Sequence, residues 1–311
     1  MSTNGKITAW QSLFAEYEHL FVCPICSGRM AVDHLKSLIC PQGHCFDLAK
    51  PGYVHLLPRA AKTTKYDGRL FAARQLLHER GYFEPLISAL CAEIANRLPA
   101  LAPDKPVIMD AGCGEGSHLS AILHTLGHQL PGTPLGIGID ISKEGIRLAA
   151  KHAAAAVQNG RKERPDILWC VSDLANSPIA GERTHCILNL LSPSNYAEFK
   201  RLLSPGGLLI KVVPETEYLQ PLRERFYGDG AKKSYSNTRT IERFAEHFEL
   251  VLSRRIQYPA TLRHDEIRHL VAMTPLLWNL PADQVSRVTR QPQLTVMFDF
   301  RILIGTKKHR E

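Results

Sequence analysis

The residues with the clearest chemical meaning are two acids and three glycines. In Asp110-Ala-Gly112-Cys-Gly114-Glu115-Gly116 the glycines fall at every second position, behind an apolar run from Val107 that ends in a carboxylate. A stretch of helical character, Ser117 to Leu126, follows directly. This pattern predicts a buried strand entering a tight turn, where missing Cβ atoms let a ligand lie against the backbone at a helix N-terminus. A second apolar run, Leu135 to Asp140, also closes on an acid. A carboxylate at that place commonly takes the two ribose hydroxyls of a nucleoside cofactor. A dinucleotide fingerprint, G-x-G-x-x-G, would need glycine at position 117, where this chain has Ser117.

Cysteines form the second constellation. Cys23-Pro-Ile-Cys26 is followed by Cys40-Pro-Gln-Gly-His44. A Cys-x2-Cys knuckle presents two thiolates to one ion, and a second half-site completes a tetrahedron. His44 and Cys45 are adjacent, so the spacing leaves the fourth ligand open between them. Four protein ligands leave no position for a water, which makes this a structural zinc site. The segment has too few apolar residues for a core of its own, so metal binding would supply much of its folding free energy.

The elements that must position these groups are legible as alternation. After the glycine turn, strands are expected at Leu135–Asp140, Ile167–Ser172, His185–Leu191 and Leu208–Val213, with helices over Lys143–Gln158 and Asn195–Leu203 between some of them. Such alternation predicts an α/β fold with a doubly wound, mostly parallel sheet and ligands at the carboxyl ends of its strands. Leu294 to Gly305 reads as a long final strand, the antiparallel one of this class. Ahead of the fold, Leu70 to Leu98 is helical with a break at Gly81–Pro85, and residues 1–20 read as an amphipathic helix docked on the body. Pro58 to Arg69 reads as a basic linker. Ser172-Asp173 ends one strand, where Asp173 would accept from the adenine amine or simply close a turn. Asn189 ends the next, where it would hydrogen-bond a ligand at the strand end or shape the turn before Ser192-Pro193.

A chain of 311 residues with 44% hydrophobic and 22% charged residues is an ordinary globular one. No apolar run reaches membrane-spanning length, and the N-terminus lacks the basic n-region of a signal peptide, so cytoplasm is the expectation. Eight cysteines in that setting point to metal and buried thiols rather than disulfides. The net charge of +8 suits a polyanionic partner as well as a merely basic surface.

The pattern Asp-x-Gly-x-Gly-x-Gly resembles motif I of S-adenosylmethionine (SAM)-dependent methyltransferases. Beyond it, the chain resembles the bacterial large-subunit (23S) rRNA guanine-N1-methyltransferases of the zinc-containing RlmA type. The shared residues include Cys23-Pro-x-Cys26, Ile39-Cys-Pro-x-x-His44-x-Phe-Asp47, Lys50-x-Gly-Tyr-Val-x-Leu-Leu57, Ala73-Arg74 and Gly81-Tyr-Phe-x-Pro-Leu86. They continue with Asp110-x-Gly-Cys-Gly-Glu-Gly116, Asp140-x-Ser-Lys143, Pro205-Gly-Gly207 and Met273-Thr-Pro275-x-x-Trp278.

The resemblance implies a Rossmann-like methyltransferase fold, a seven-stranded sheet, carrying a small N-terminal zinc module. It implies Cys23, Cys26, Cys40 and His44 as zinc ligands. It also implies a SAM pocket in which Phe83, His118, Leu119 and Tyr218 join Asp110, Gly112, Gly114, Glu115, Gly116, Asp140 and Asp173. The expected organisation is an extension over 1–20, a zinc module over 21–58, a linker and leading helices over 59–105, and a methyltransferase domain over 106–311. The implied activity is methylation of guanine N1 in a 23S rRNA hairpin, by a homodimer whose basic clusters and zinc module form an RNA-binding rim. Two readings compete with it: a small-molecule methyltransferase, and a zinc-dependent RNA-binding protein with an inactive methyltransferase fold. The zinc module and basic excess count against the first, the intact glycine turn and Asp140 against the second.

Overall fold

The computed structural model describes residues 7–58, 67–100, 105–158, 165–227, 236–274 and 282–308. Helix α1 (Ala9–Glu16) leads into four short strands: β1 (Ala31–Asp33), β2 (Ser37–Ile39), β3 (Cys45–Ala49) and β4 (Tyr53–His55). Two helices follow, α2 (Gly68–Glu79) and α3 (Glu84–Arg97). Then come β5 (Val107–Ala111), α4 (Ser117–Gly127), β6 (Leu135–Asp140), α5 (Lys143–Gln158) and β7 (Ile167–Val171). β8 (Thr184–Leu190), α6 (Tyr196–Leu202), β9 (Leu203–Pro214), α7 (Gln220–Tyr227) and α8 (Thr238–His247) continue the chain. It closes with β10 (Phe248–Arg263), α9 (His264–Met273), α10 (Ala282–Thr289) and β11 (Gln293–Lys307).

The strands lie in the order β1-β2-β3-β4-β7-β6-β5-β8-β9-β11-β10. From β4 to β9 every neighbouring pair is parallel, and β11 runs antiparallel to both β9 and β10. The seven strands from β7 to β10 are the doubly wound sheet that the alternation predicts. Winding goes one way from β5 through β6 to β7 and the other way from β8 to β9, so the switch lies between β5 and β8. A crevice opens at the carboxyl ends of strands at such a point. The glycine turn and the loop after β8 stand on its two sides.

Strands buried on both faces need apolar residues at every position. Here alternate residues serve different layers. Ile108, Leu188, Ile210 and Val212 face a core completed by α3, α4 and α9. Val107, Met109, Ile187 and Leu209 face a second core. That core takes in Leu13 and Phe14 of α1, Phe21 and Leu38 of the cysteine-bearing segment, Phe199 of α6 and Phe244 of α8. Docking of α1 through Leu13 and Phe14 is the arrangement its apolar spacing predicts.

Two features differ from the sequence expectation. β10 is sixteen residues long and pairs with β11 along its length, yet no strand was expected there. Most of its positions, Arg254 and Arg255 among them, are exposed or half-buried because it is the sheet edge, so the apolar alternation is weak. Second, β4 pairs with β7, Tyr53 opposite Trp169 and His55 opposite Val171, so the zinc segment continues the main sheet. Lys62, Lys65, Arg161-Lys162, Lys232-Lys233 and Trp278 lie outside the described residues.

Candidate metal centre, cofactor pocket and acceptor loop

The four residues expected to hold zinc converge. Their ligand atoms all lie within 4.8 Å of one another. His44 Nδ1 is 3.5 Å from Cys23 Sγ and 3.4 Å from Cys40 Sγ, and the sulfurs of Cys26 and Cys40 are 3.6 Å apart. Tetrahedral zinc, with bonds of about 2.3 Å to sulfur and about 2.0 Å to nitrogen, sets edges of about 3.8 and 3.5 Å, so an ion fits. The knuckle also supplies amide dipoles, Ile25 N–H donating to Cys23 Sγ at 3.4 Å. Burial raises the Cys40 thiol, but amides of His44 and Gln42 outweigh it and hold the group at about 6, toward the thiolate that a metal needs. Cys45 is exposed at the start of β3, which resolves the adjacent pair in favour of His44.

β5 delivers Asp110 to the crevice fully buried, and the chain then turns through glycines with positive φ. At Gly116 (φ 77°) a Cβ would fall 2.3 Å from the Trp169 ring, so glycine is required by the turn and the close approach together. Asp140 comes from the neighbouring β6 and braces this turn: its Oδ2 accepts from Gly114 N–H at 2.8 Å, its Oδ1 from Ser142 N–H at 2.7 Å. Each carboxylate oxygen retains a second lone pair, as a ribose diol requires.

Asp110 and Glu115 are buried, and half-buried Asp140 lies beside them. Burial and the neighbouring Asp140 and Glu115 charges push the Asp110 carboxyl up to about 8. Burial likewise raises Glu115 and Asp140, and Arg74 pulls both back down. Arg74, from α2, places its guanidinium 3.8 Å from Glu115 Oε2. The site therefore holds more negative than positive charge, and Asp110 Oδ1 and His118 Nε2 are buried there without a hydrogen-bond partner. A ligand bearing a sulfonium and an ammonium, as SAM does, complements such a site. The residues present fit the cofactor.

Phe83, His118 and Tyr218 come from α3's N-cap, the first turn of α4 and the segment after β9, and they meet around Phe298. The ring centroids of Phe83 and His118 are 4.9 Å apart, those of Phe83 and Phe298 5.5 Å, and those of Tyr218 and Phe298 6.1 Å. Burial holds His118 well below its usual range, hence neutral, and lifts the Tyr218 hydroxyl to about 12. Leu119, beside His118, is fully buried and packs in the core.

Asp173 and Asn189 both make hydrogen bonds within the protein. Asp173 Oδ1 accepts from Ala175 N–H at 2.8 Å, closing a turn, and the residue is exposed. Asn189 is fully buried and spends its amide internally. Its Nδ2 donates to the carbonyls of Ala111 and Pro193, at 3.1 and 2.9 Å, and lies 2.6 Å from Ser192 Oγ. Its Oδ1 accepts from Ser194 Oγ and Lys211 Nζ, each at 2.7 Å. These bonds tie the end of β8 to the loop that follows it. At Gly112 (φ 92°), which that loop overlies, a Cβ would fall 2.7 Å from Ser192.

Residues 21–65 match the zinc-ribbon family described as "RlmA, N-terminal". Over 291 residues, 93% of this chain and 97% of the relative, the sequence is 40% identical to YxjB of Bacillus subtilis (strain 168), provisionally named a 23S rRNA (guanine-N(1)-)-methyltransferase. It is 31% identical over 268 residues, 85% of this chain and 88% of the relative, to the 23S rRNA (guanine(748)-N(1))-methyltransferase of Streptomyces fradiae. The chain belongs to the 23S rRNA (guanine-N1)-methyltransferase family. Its Cys3His cluster lies in that family's zinc ribbon and is the zinc site.

Sequence reasoning missed Arg74 and Lys211. Arg74 stood in view as part of the Ala73-Arg74 pair shared with the family, but nothing local ties it to Glu115, forty-one positions away. Lys211, 5% exposed, lies opposite Asn189 in the β8–β9 register and donates to Asn189 Oδ1, Ser192 O and Ser194 Oγ. Burial pushes its amine down to about 8.

Proposed function

We propose that this protein transfers a methyl group from SAM to N1 of one guanine in a hairpin of 23S rRNA. The observation that carries the reading is the near-full-length match, in which a Cys3His ribbon and an intact acidic glycine turn occur together. SAM supplies an electrophilic methyl group; the protein's task is to hold donor and acceptor in line, and positioning of that kind removes much of a displacement barrier. Asp140 would hold the ribose, Asp110 and Glu115 the cationic end of the cofactor, and Arg74 its carboxylate. Phe83, His118 and Tyr218 would close over it from the opposite side. The base must leave its stack to be reached, which favours a loop or bulge.

We place the enzyme in the cytoplasm as a homodimer, with the zinc ribbon and the basic surface gripping RNA. No helix among the described residues is long and apolar enough to cross a membrane. Incubation with methyl-labelled SAM and unmodified 23S rRNA, followed by mapping of the label, tests the activity. Label on N1 of a single guanine is expected; label only in a small metabolite, or none despite SAM binding, overturns the reading. Sedimentation at micromolar concentration tests the dimer.

A further inference from the structure

A cavity of about 520 Å3 opens beside the glycine turn. Its walls come from three elements that are distant in sequence. Asp173 and Leu174 follow β7, Ser194 and Asn195 belong to the acceptor loop after β8, and Arg243 and His247 stand on the last turns of α8. The volume lies within the roughly 300–1,000 Å3 of small-molecule sites. Leu174, in the cavity wall, also approaches to 3.8 Å of where a Gly112 Cβ would stand, so the wall reaches the turn. One wall is braced from behind: Ser194 Oγ donates to Asn189 Oδ1 and accepts from buried Lys211.

The lining chemistry is selective. Asp173 is the one carboxylate in the wall and Arg243 the one guanidinium. The Oδ1 of Asp173 already accepts from Ala175, which orients the group and leaves Oδ2 available. The His247 ring packs against Tyr196, centroids 5.1 Å apart at 33°, which gives the cavity an aromatic wall. Among nucleobases, guanine offers two adjacent donors, N1–H and the 2-amino group, on one edge and two acceptors, O6 and N7, on another. A carboxylate matches the first pair and an arginine the second. Adenine lacks the 2-amino group and carries a donor where guanine has O6, so it satisfies neither side chain. Enzymes that modify a base draw it out of the helix and read it by such contacts and by stacking on aromatic walls.

We propose that this cavity receives the target guanine, read by Asp173 Oδ2 at the 2-amino group and by Arg243 at O6 and N7, so that N1 stays open to the methyl donor. The inference rests on the proposed RNA-methylating function and names the acceptor subsite within it. In this arrangement the buried Asn189–Ser194–Lys211 cluster acts as the support of the acceptor loop. Asp173 then serves the acceptor base, where sequence alone had offered it to the adenine of SAM.

The test uses the full-length protein and a hairpin carrying the mapped guanine, with binding measured in the absence of SAM. Arg243→Ala is expected to weaken hairpin binding about tenfold or more, with SAM affinity and melting temperature unchanged, since the side chain is exposed. Replacing the target guanine by inosine removes only the 2-amino group. The native protein should prefer guanine severalfold, and Asp173→Asn should abolish that preference. Equal binding of both hairpins by the native protein, or unchanged hairpin binding by Arg243→Ala, overturns the proposal. Weakened SAM binding by Asp173→Asn with the preference intact would return Asp173 to the cofactor. If the native protein shows this guanine preference but places its label on an atom of that guanine other than N1, the functional reading fails separately and the cavity assignment stands.

Discussion

Both oxygens of Asp140 accept backbone hydrogen bonds, one from Gly114 in the turn and one from Ser142 beyond β6. A substitution there acts on fold and ligand together. Asp140→Ala leaves two amides without an acceptor, at about 1–3 kcal/mol each if they stay dry. The variant should fold with a lowered melting temperature and bind SAM at least tenfold more weakly by calorimetry. Undiminished SAM affinity would remove Asp140 from the ribose. Asp110 makes a sharper prediction, through pH. Its carboxyl is raised from 3.8 to about 8 when the site lacks a cationic ligand, so between those values the folded chain binds more protons than the unfolded one. Stability must then fall as pH rises through that window. SAM favours the ionised form, so its affinity should climb toward pH 8 and its binding should release a proton below that pH. Calorimetry in two buffers of different ionisation enthalpy reads that proton directly. Asp110→Asn should abolish both the slope and the proton release while leaving the turn in place.

At the scale of elements, the glycine turn, both zinc knuckles and the alternating strands and helices could be read from local pattern. α5 runs from Lys143 to Gln158 as its periodicity predicts, because the helix lies on the sheet with one apolar face. What escaped local pattern is pairing between distant residues. Nothing in the sequence sets Asn189 opposite Lys211, lays α2 over the acidic turn, or joins β4 to β7. β10 escaped because an edge strand with one solvated side lacks the apolar run of a buried one. The β4–β7 pairing predicts how zinc loss spreads. The ribbon strands β1 to β3 carry few core residues, while Val54 and Leu56 sit fully buried in the main body. Chelation should therefore expose the amides of β1, β2 and β3 to rapid hydrogen exchange and leave β5, β6, β8 and β9 protected. Exchange of the whole sheet on chelation would mean that the ribbon is not a local folding unit.

At the scale of the molecule, the zinc ribbon and the acceptor side of the crevice are joined. The Asn176 amide in the loop after β7 donates to the carbonyl of Pro24 in the zinc knuckle at 3.4 Å, three residues past Asp173. The ribbon's Ile25 stands 54% exposed at the same knuckle, and Leu191, 39% exposed, leaves the acceptor loop with a left-handed backbone. A net charge of +8 gives the chain the means to attract an RNA backbone. Salt separates RNA binding from SAM binding. Each phosphate contact adds roughly 0.7–0.9 to the slope of log affinity against log salt, so several contacts should give RNA affinity a slope of about −3 or steeper. SAM, held in the proposed pocket, should respond far less. Cys23→Ser, which loosens the ribbon, should raise the KM for RNA and flatten the salt slope while SAM affinity persists. Full-rate methylation by that variant with an unchanged slope would confine the RNA grip to the methyltransferase body and leave zinc a purely structural role.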